Sequence, residues 1–111
     1  MQESSGNGLR LFTLYVGSAQ PPNKAAAIKI VGDLFESFTL QEVEGCFRGQ
    51  TEPTLLIKLA TNHCTKVIQT AGRIRDSLHQ DGVGIEYKGR YYRCTEKDPA
   101  SALSAAVAAE G

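Results

Sequence analysis

The sequence lacks several features that would place it in a large functional class. Its 111 residues carry 12 basic and 12 acidic side chains, so the formal net charge is zero. Such a chain has no long-range field to gather nucleic acid or an anionic membrane surface, and we expect neither as a partner. No apolar run approaches the ~20 residues that a membrane-spanning helix needs. The first residues, MQESSGNG, lack the pattern of a secretory signal, so we expect a cytoplasmic protein.

Motifs for common chemistries are also missing. The cysteines are odd in number and have no C-x-x-C spacing, which predicts buried reduced thiols rather than disulfides or a zinc site; they are Cys46, Cys64 and Cys94. His63 and His79 lie near opposite ends of one predicted helix, without an Asp or Cys at ligand spacing, which favours surface histidines. No phosphate-binding glycine motif and no Ser-His-Asp context is present. We therefore expect no metal and no cofactor.

Four segments rich in β-branched and aromatic residues predict strands. They are 9–16, 40–48, 54–60 and 83–94. The first is apolar on both faces, which indicates a central strand. The last is either one bulged strand or a hairpin that turns at Lys88–Gly89.

Two segments with helical periodicity lie between these strands. Asn23 is the expected N-cap of the first helix, and Thr61 or Asn62 that of the second. Asp98–Pro99 resembles an N-cap followed by proline at the first helical position, and predicts a helical tail over 98–111. The apolar stripes of the two main helices are Ala27, Val31, Leu34, Phe35 and Phe38, and then Cys64, Val67, Ile68, Ala71, Ile74 or Arg75, and Leu78.

This order predicts one α+β sandwich over 9–97, preceded by a disordered segment 1–8. Two helices with one apolar stripe each cover only one face of an antiparallel sheet. The other face is expected to combine apolar residues with charges: Leu11, Tyr15, Leu56, Glu42, Glu44, Arg48, Lys58 and Glu86. Such a face is either a self-association surface with a polar site inside it, or an open face covered by long side chains.

Two features could carry chemistry, one on that open face and one in a turn. Glu86 is an acid within an apolar strand and needs a partner, which is either a cross-strand Lys58 or Arg48, or a ligand. The polar turn predicted over 49–53 is either a binding loop or a simple hairpin turn. Taken alone, these features suggest a site for a cationic or zwitterionic small molecule.

Some of these segments resemble a known family. Glu44–Arg48, the acid before the third strand and Gly84–Lys88 are similar to the phage enzymes that degrade S-adenosylmethionine, and the similarity of element order extends over 9–94. The resemblance implies a ferredoxin-like, GlnB-like sandwich that forms a homotrimer with sites at the subunit interfaces. It also implies a role in the host cytoplasm, where loss of the methyl donor would protect a phage from restriction–modification.

The same resemblance implies a lyase that needs no cofactor. The substrate carboxylate would attack its own γ-carbon, releasing 5′-methylthioadenosine and homoserine lactone. Glu86 would bind the ammonium or balance the sulfonium, with Gln50 or Glu52 as the second contact. If Gln50 stands at the position of an acid, turnover would be slow. The substrate-binding residues implied are Gly17, Ser18, Tyr15, Phe38, Phe47 and Arg48.

Two other functions remain open from the sequence. One is a non-catalytic, trimeric GlnB-like module that senses an adenine-containing ligand. The other is an oligomerisation domain with no ligand. Formation of methylthioadenosine from S-adenosylmethionine would distinguish the enzyme from both.

Overall fold

The computed structural model describes residues 8–17 and 22–111. Across these ranges the chain forms five strands and three helices: β1 (Arg10–Gly17), α1 (Lys24–Gly32), β2 (Thr39–Phe47), β3 (Gln50–Thr61), α2 (Cys64–Ser77), β4 (Gly82–Tyr87), β5 (Arg90–Thr95) and α3 (Ser101–Ala108). The strand order is β2-β3-β1-β4-β5 and all neighbours are antiparallel. This confirms the predicted α+β sandwich of ferredoxin-like, GlnB-like type and the central place of β1. The segment 1–7, most of the predicted disordered N-terminus, lies outside the described residues.

The core lies between the sheet and the helices. Phe12, Leu14 and Val16 of β1 alternate toward the helices and are buried. Their partners in β3 are Leu59, Ile57 and Leu55, which are also buried. The helices complete this layer with further buried side chains, namely Ala27, Val31, Val67, Ala71, Ile74 and Leu103. Period-two alternation in the strands therefore determines which face the helices cover.

The first helix begins as predicted but ends early. Asn23 is its N-cap, and the side-chain Oδ1 accepts a hydrogen bond of 3.0 Å from the amide of Ala26. The helix stops at Gly32, although the apolar stripe continues. Phe35 and Phe38 therefore pack against the core from the connection to β2. The apolar stripe correctly predicted which side chains pack against the core, but it did not predict where the helix ends.

The predicted caps of α2 are wrong. The N-cap is His63, and its own side chain makes no capping bond. Thr61 Oγ1 instead accepts a hydrogen bond from the His63 amide at 3.0 Å. The Asn62 Oδ1 accepts from the amide of Arg10 in β1 at 3.2 Å, so this side chain is used to bind the neighbouring strand.

Two tight hairpins correct the predicted turns. Arg48–Gly49 and Lys88–Gly89 both have positive φ, at 51° and 77° and at 49° and 76°, which is the pattern of two-residue type I′ turns. The segment 83–94 is therefore the hairpin rather than one bulged strand, and it adds the fifth strand. The predicted turn over 49–53 is wrong, because β3 already begins at Gln50. Beyond the end of β1, this β2–β3 hairpin continues as a two-stranded ribbon.

The C-terminal helix belongs to the helical layer. Its start differs from the prediction, because Ala100 is the N-cap and has a left-handed backbone, while Pro99 pairs with Cys94. The Asp98 carboxylate still accepts from the amide of Ser101 at 3.0 Å, so it satisfies a donor at the helix start. Leu103 is fully buried, and it packs α3 against the core.

The three cysteines are free thiols in different environments. Cys94 is buried and Cys64 is half-buried. The prediction of burial is wrong for Cys46, which is exposed because it lies in the protruding ribbon. None of the helices within the described ranges is long and apolar enough to cross a membrane.

Candidate functional site

The register of the sheet determines which residues share the open face. Glu42 lies opposite the buried Leu55, so it points to the helical side, where its carboxylate lies 3.6 Å from Nζ of Lys24 in α1. The predicted placement of Glu42 and Glu44 on the open face is therefore wrong. The residues of β2 that share the open face are Thr39, Gln41, Val43, Gly45 and Phe47.

The centre of the open face is a tyrosine–glutamate pair. The Tyr15 hydroxyl donates a hydrogen bond of 2.6 Å to Oε1 of Glu86. This bond, with partial burial, raises the pKa of Tyr15 above its usual value, so the phenol remains the donor at neutral pH. The ring of Tyr91 in β5 meets that of Tyr15 edge to face, with centroids 5.8 Å apart.

Glu86 has no cationic partner within the part of the chain that the structure describes. Thr13 of β1 lies between it and Lys58 in the register, and neither Lys58 nor Arg48 forms an ion pair with it. The expected cross-strand ion pair is therefore not formed. A half-buried carboxylate held by a neutral donor keeps its charge uncompensated and can bind a cationic group.

Glycines form the floor beside this pair. A Cβ on Gly17 would lie 2.7 Å from the Glu52 Oε1, and a Cβ on Gly84 would collide with the Tyr91 ring. Larger side chains from neighbouring strands thus lie flat over these positions. The absence of side chains at these glycines therefore lets Glu52 and the Tyr91 ring lie close to the sheet.

The floor opens into a groove of about 520 Å³, a size typical of small-molecule sites. Its charged groups are Glu52, Asp81 and Arg93, so it presents both signs. The remaining lining is Tyr15, Gly17, Gly45, Cys46, Phe47, Thr54, His79, Gln80, Gly82, Gly84 and Tyr91. A second hollow of about 740 Å³ lies at the other end of β1 and includes Glu86, Thr13 and Leu11.

The structure brings together several of the residues singled out from the sequence. Tyr15, Gly17, Phe47 and Glu52 line the same groove. Glu86 joins them through Tyr15 and lines the second hollow. The predicted site residues on the open face therefore come from four different strands.

Other predicted site residues lie elsewhere. Arg48 is at the tip of the ribbon, with its guanidinium 5.0 Å from the centroid of the Phe47 ring. Gln50 pairs with Phe47 beside this tip and is exposed, outside the groove lining. Phe38 packs against the core on the helical side. Ser18 lies outside the described residues.

Sequence reasoning missed Tyr91 and Arg93. Both lie in β5 on the open face, opposite Glu86 and Gly84 respectively. Their signal was the alternation in RYYRC, which places them on that face once the hairpin at Lys88–Gly89 is recognised. The sequence alone does not distinguish a hairpin from one bulged strand, and without that distinction neither residue can be placed on the open face.

The open face exposes large apolar side chains around the groove. Leu11 is 72% exposed, Tyr91 62% and Phe47 60%. Tyr91 and Phe47 line the groove, and Leu11 lines the second hollow. Exposed apolar groups clustered near a polar site are typical of an interaction surface.

Comparison with known proteins gives one informative match. A solved structure described as a phage SAM lyase in the apo state superposes with a TM-score of 0.58 at 17% identity, covering 87% of this chain and 97% of that one. At this identity the likeness shows the shared fold. No protein-family profile and no curated protein sequence matches the chain.

Proposed function

We propose that this chain is an S-adenosylmethionine lyase. The observation that carries the proposal is Glu86, a half-buried carboxylate that is oriented by Tyr15 and has no cationic partner among the described residues. S-adenosylmethionine presents two cationic groups, a sulfonium and an ammonium. The shared fold with a phage SAM lyase supports the same activity.

The reaction needs little from the protein. A carboxylate oxygen of the substrate attacks its own γ-carbon, the carbon–sulfur bond breaks, and its electron pair leaves with sulfur. The products are 5′-methylthioadenosine and homoserine lactone, and no proton or co-reactant is needed for balance. Because charge is neutralised along the path, a site of low polarity favours the transition state. The protein must fold the substrate chain into a reactive shape and exclude water.

The groove, together with the carboxylate of Glu86 beside Tyr15, offers groups for these tasks. Glu86 binds the ammonium or balances the sulfonium, and Tyr15 holds its carboxylate in place. Glu52 is the second acid, since it lies against Gly17 in the groove while Gln50 is outside the groove lining. The rings of Tyr91 and Phe47 offer exposed faces for the adenine.

We further propose that a homotrimer completes the site. The apolar residues around the groove are exposed in the single chain, and the groove opens to solvent. A second subunit packed on this face would bury them and remove water from the reacting carbon. A phage that carries such an enzyme would lower the methyl donor used by the restriction–modification systems of its host.

The direct test is incubation of the purified chain with S-adenosylmethionine, with products separated by chromatography. We expect methylthioadenosine together with homoserine lactone that appears before homoserine. In water labelled with oxygen-18, the first product should be unlabelled, and immediate label in it would exclude the lyase route. A Gln50→Glu variant serves as the second sample, because it restores an acid if that position limits turnover.

Two further measurements distinguish the alternatives. Binding of S-adenosylmethionine without product, in both the wild type and the Gln50→Glu variant, would overturn the lyase and favour a binding module. Native mass determines the oligomer. A trimer that binds no adenosyl ligand would indicate an oligomerisation domain instead.

A further inference from the structure

The Glu110 carboxylate, just beyond α3, is held by donors from two distant parts of the chain. The Tyr87 hydroxyl lies 2.7 Å from its Oε1 and 2.8 Å from its Oε2. The Arg10 Nε lies 3.1 Å from Oε1, and the Lys88 Nζ lies 3.1 Å from Oε2. Both carboxylate oxygens are therefore bound, each by the phenol and by one cation.

The donors are positioned by contacts that do not involve Glu110. The Tyr87 ring is buried and stacks on Phe12, with centroids 4.8 Å apart. The Arg10 Nη1 donates to the Asn62 Oδ1 at 3.3 Å, and the Arg10 amide donates to the same oxygen. The hairpin turn that follows β4 places the backbone of Lys88 beside them. Arg10 and Tyr87 would thus remain in place if the carboxylate left.

The electrostatics of this cluster favour an anion. The Tyr87 hydrogen bond, and next that from Lys88, lowers the pKa of Glu110 to about 2. Arg10 and Lys88 bring two positive charges to a single carboxylate. Once Glu110 is removed, these two cations would face each other across an unfilled space, which a negative ligand would relieve.

We propose that Arg10, Tyr87 and Lys88 form a carboxylate-binding site that Glu110 fills as an internal ligand. The site lies at the edge of the 740 Å³ hollow that Glu86 also lines, so a small molecule that enters this hollow can reach it. The ligand class is a small-molecule carboxylate, because the phenol and the two cations contact two oxygens in the arrangement of Glu110. A tethered group has an effective concentration on the order of millimolar or more, so Glu110 must leave before a weak ligand binds.

Removal of the internal ligand gives a direct test with acetate as the probe. We expect the Glu110→Ala variant to gain about 4 °C in melting temperature when sodium acetate replaces sodium chloride at equal ionic strength. Wild type should not gain, because Glu110 occupies the site. The Asp33→Ala variant is the matched control, since it also removes a surface carboxylate paired with a lysine. An equal gain in all three proteins, or none in Glu110→Ala, would overturn the proposal.

A second variant and a second anion make the test specific. Adding Lys88→Ala to Glu110→Ala should remove at least half of the acetate gain, because one oxygen loses its cation. Inorganic phosphate in place of acetate should give a smaller gain, and a larger one would overturn selectivity for carboxylates. These measurements use no S-adenosylmethionine, so their failure and the failure of the proposed lyase activity are independent.

Discussion

The Tyr15 hydroxyl reaches Glu86 diagonally across two strands. In the register of β1 and β4, Tyr15 lies opposite Gly84 and Thr13 lies opposite Glu86, yet Tyr15 makes the 2.6 Å bond to that carboxylate. The bond fixes the orientation of Glu86 without neutralising it. The carboxylate that we propose to bind a cation is thereby oriented before any ligand arrives.

Replacement of Glu86 by Gln should remove the charge while keeping the shape. We expect kcat/KM for S-adenosylmethionine to fall about 100-fold, as when one preorganised electrostatic contact is lost from an active site. Methylthioadenosine release under initial-rate conditions measures this. Glu42→Gln is the control, since Glu42 is also a strand acid but is exposed on the helical side. Equal activity in wild type and Glu86→Gln would exclude the proposed role of Glu86.

Replacement of Tyr15 by Phe should separate orientation from charge. We expect about a 10-fold lower kcat/KM, because Glu86 keeps its charge but loses its donor. The hydrogen bond raises the folded-state pKa of Tyr15 above its ordinary 10.0. The stability from this bond is therefore complete below about pH 10 and is lost as pH rises through the higher folded-state value. Melting temperature against pH should fall less steeply above pH 10 in Tyr15→Phe than in wild type, and parallel curves would contradict this.

The fold was largely predictable because its signals are local. Alternation in β1 and the apolar stripes of α1 and α2 correctly identified the buried side chains. Asn23 was correctly predicted as the N-cap of α1. The end of α1 was not predictable from the stripe, because Phe35 and Phe38 pack against the core without being helical. Periodicity reports which side chains are buried, and it does so even after regular structure has ended.

The site was predictable only in part because it depends on register. The sequence singles out Tyr15 and Glu86 in strands and Glu52 in a turn, but which of them meet depends on pairing between distant strands. The error over Glu42 has the same origin. A turn of five residues over 49–53 predicts a β2–β3 register that places Glu42 on the open face. The turn has only two residues, and the register that it produces points Glu42 to the helical side.

Gly72 in α2 offers a test of stability that is separate from the site. It lies within the helix, and a Cβ there would meet only the Arg75 Nη2, at an ordinary 3.8 Å. Because glycine costs helix stability and nothing requires its freedom here, Gly72→Ala should raise the free energy of unfolding by about 0.5–1 kcal/mol. Urea denaturation measures this, and a loss of stability would show that the helix surface near Arg75 has no room for the added methyl group.

Glu110 should control part of the acid stability. Its ordinary pKa of 4.5 is lowered to about 2 in the folded chain, first by the Tyr87 hydrogen bond. A depressed folded-state pKa contributes stability that is present above pH 4.5 and is lost as pH falls toward 2. The melting temperature of Glu110→Gln should therefore be lower than that of wild type at neutral pH, and the two should converge near pH 2. A constant difference across this range would show that the carboxylate charge is not what stabilises the contact.

Gly84 tests whether the floor of the groove serves the ligand rather than the fold. A Cβ there would collide with the Tyr91 ring, but Tyr91 is exposed and can swing away from the sheet. We therefore expect Gly84→Ala to cost less than about 1 kcal/mol of stability, far below a buried clash. The displaced ring would lose its edge contact with Tyr15 and fill the groove, so activity should fall about 10-fold or more. If Tyr91→Ala in the same chain restores stability but not turnover, the ring itself contributes to substrate binding. If neither variant changes turnover, the groove over Gly84 is not where the substrate lies.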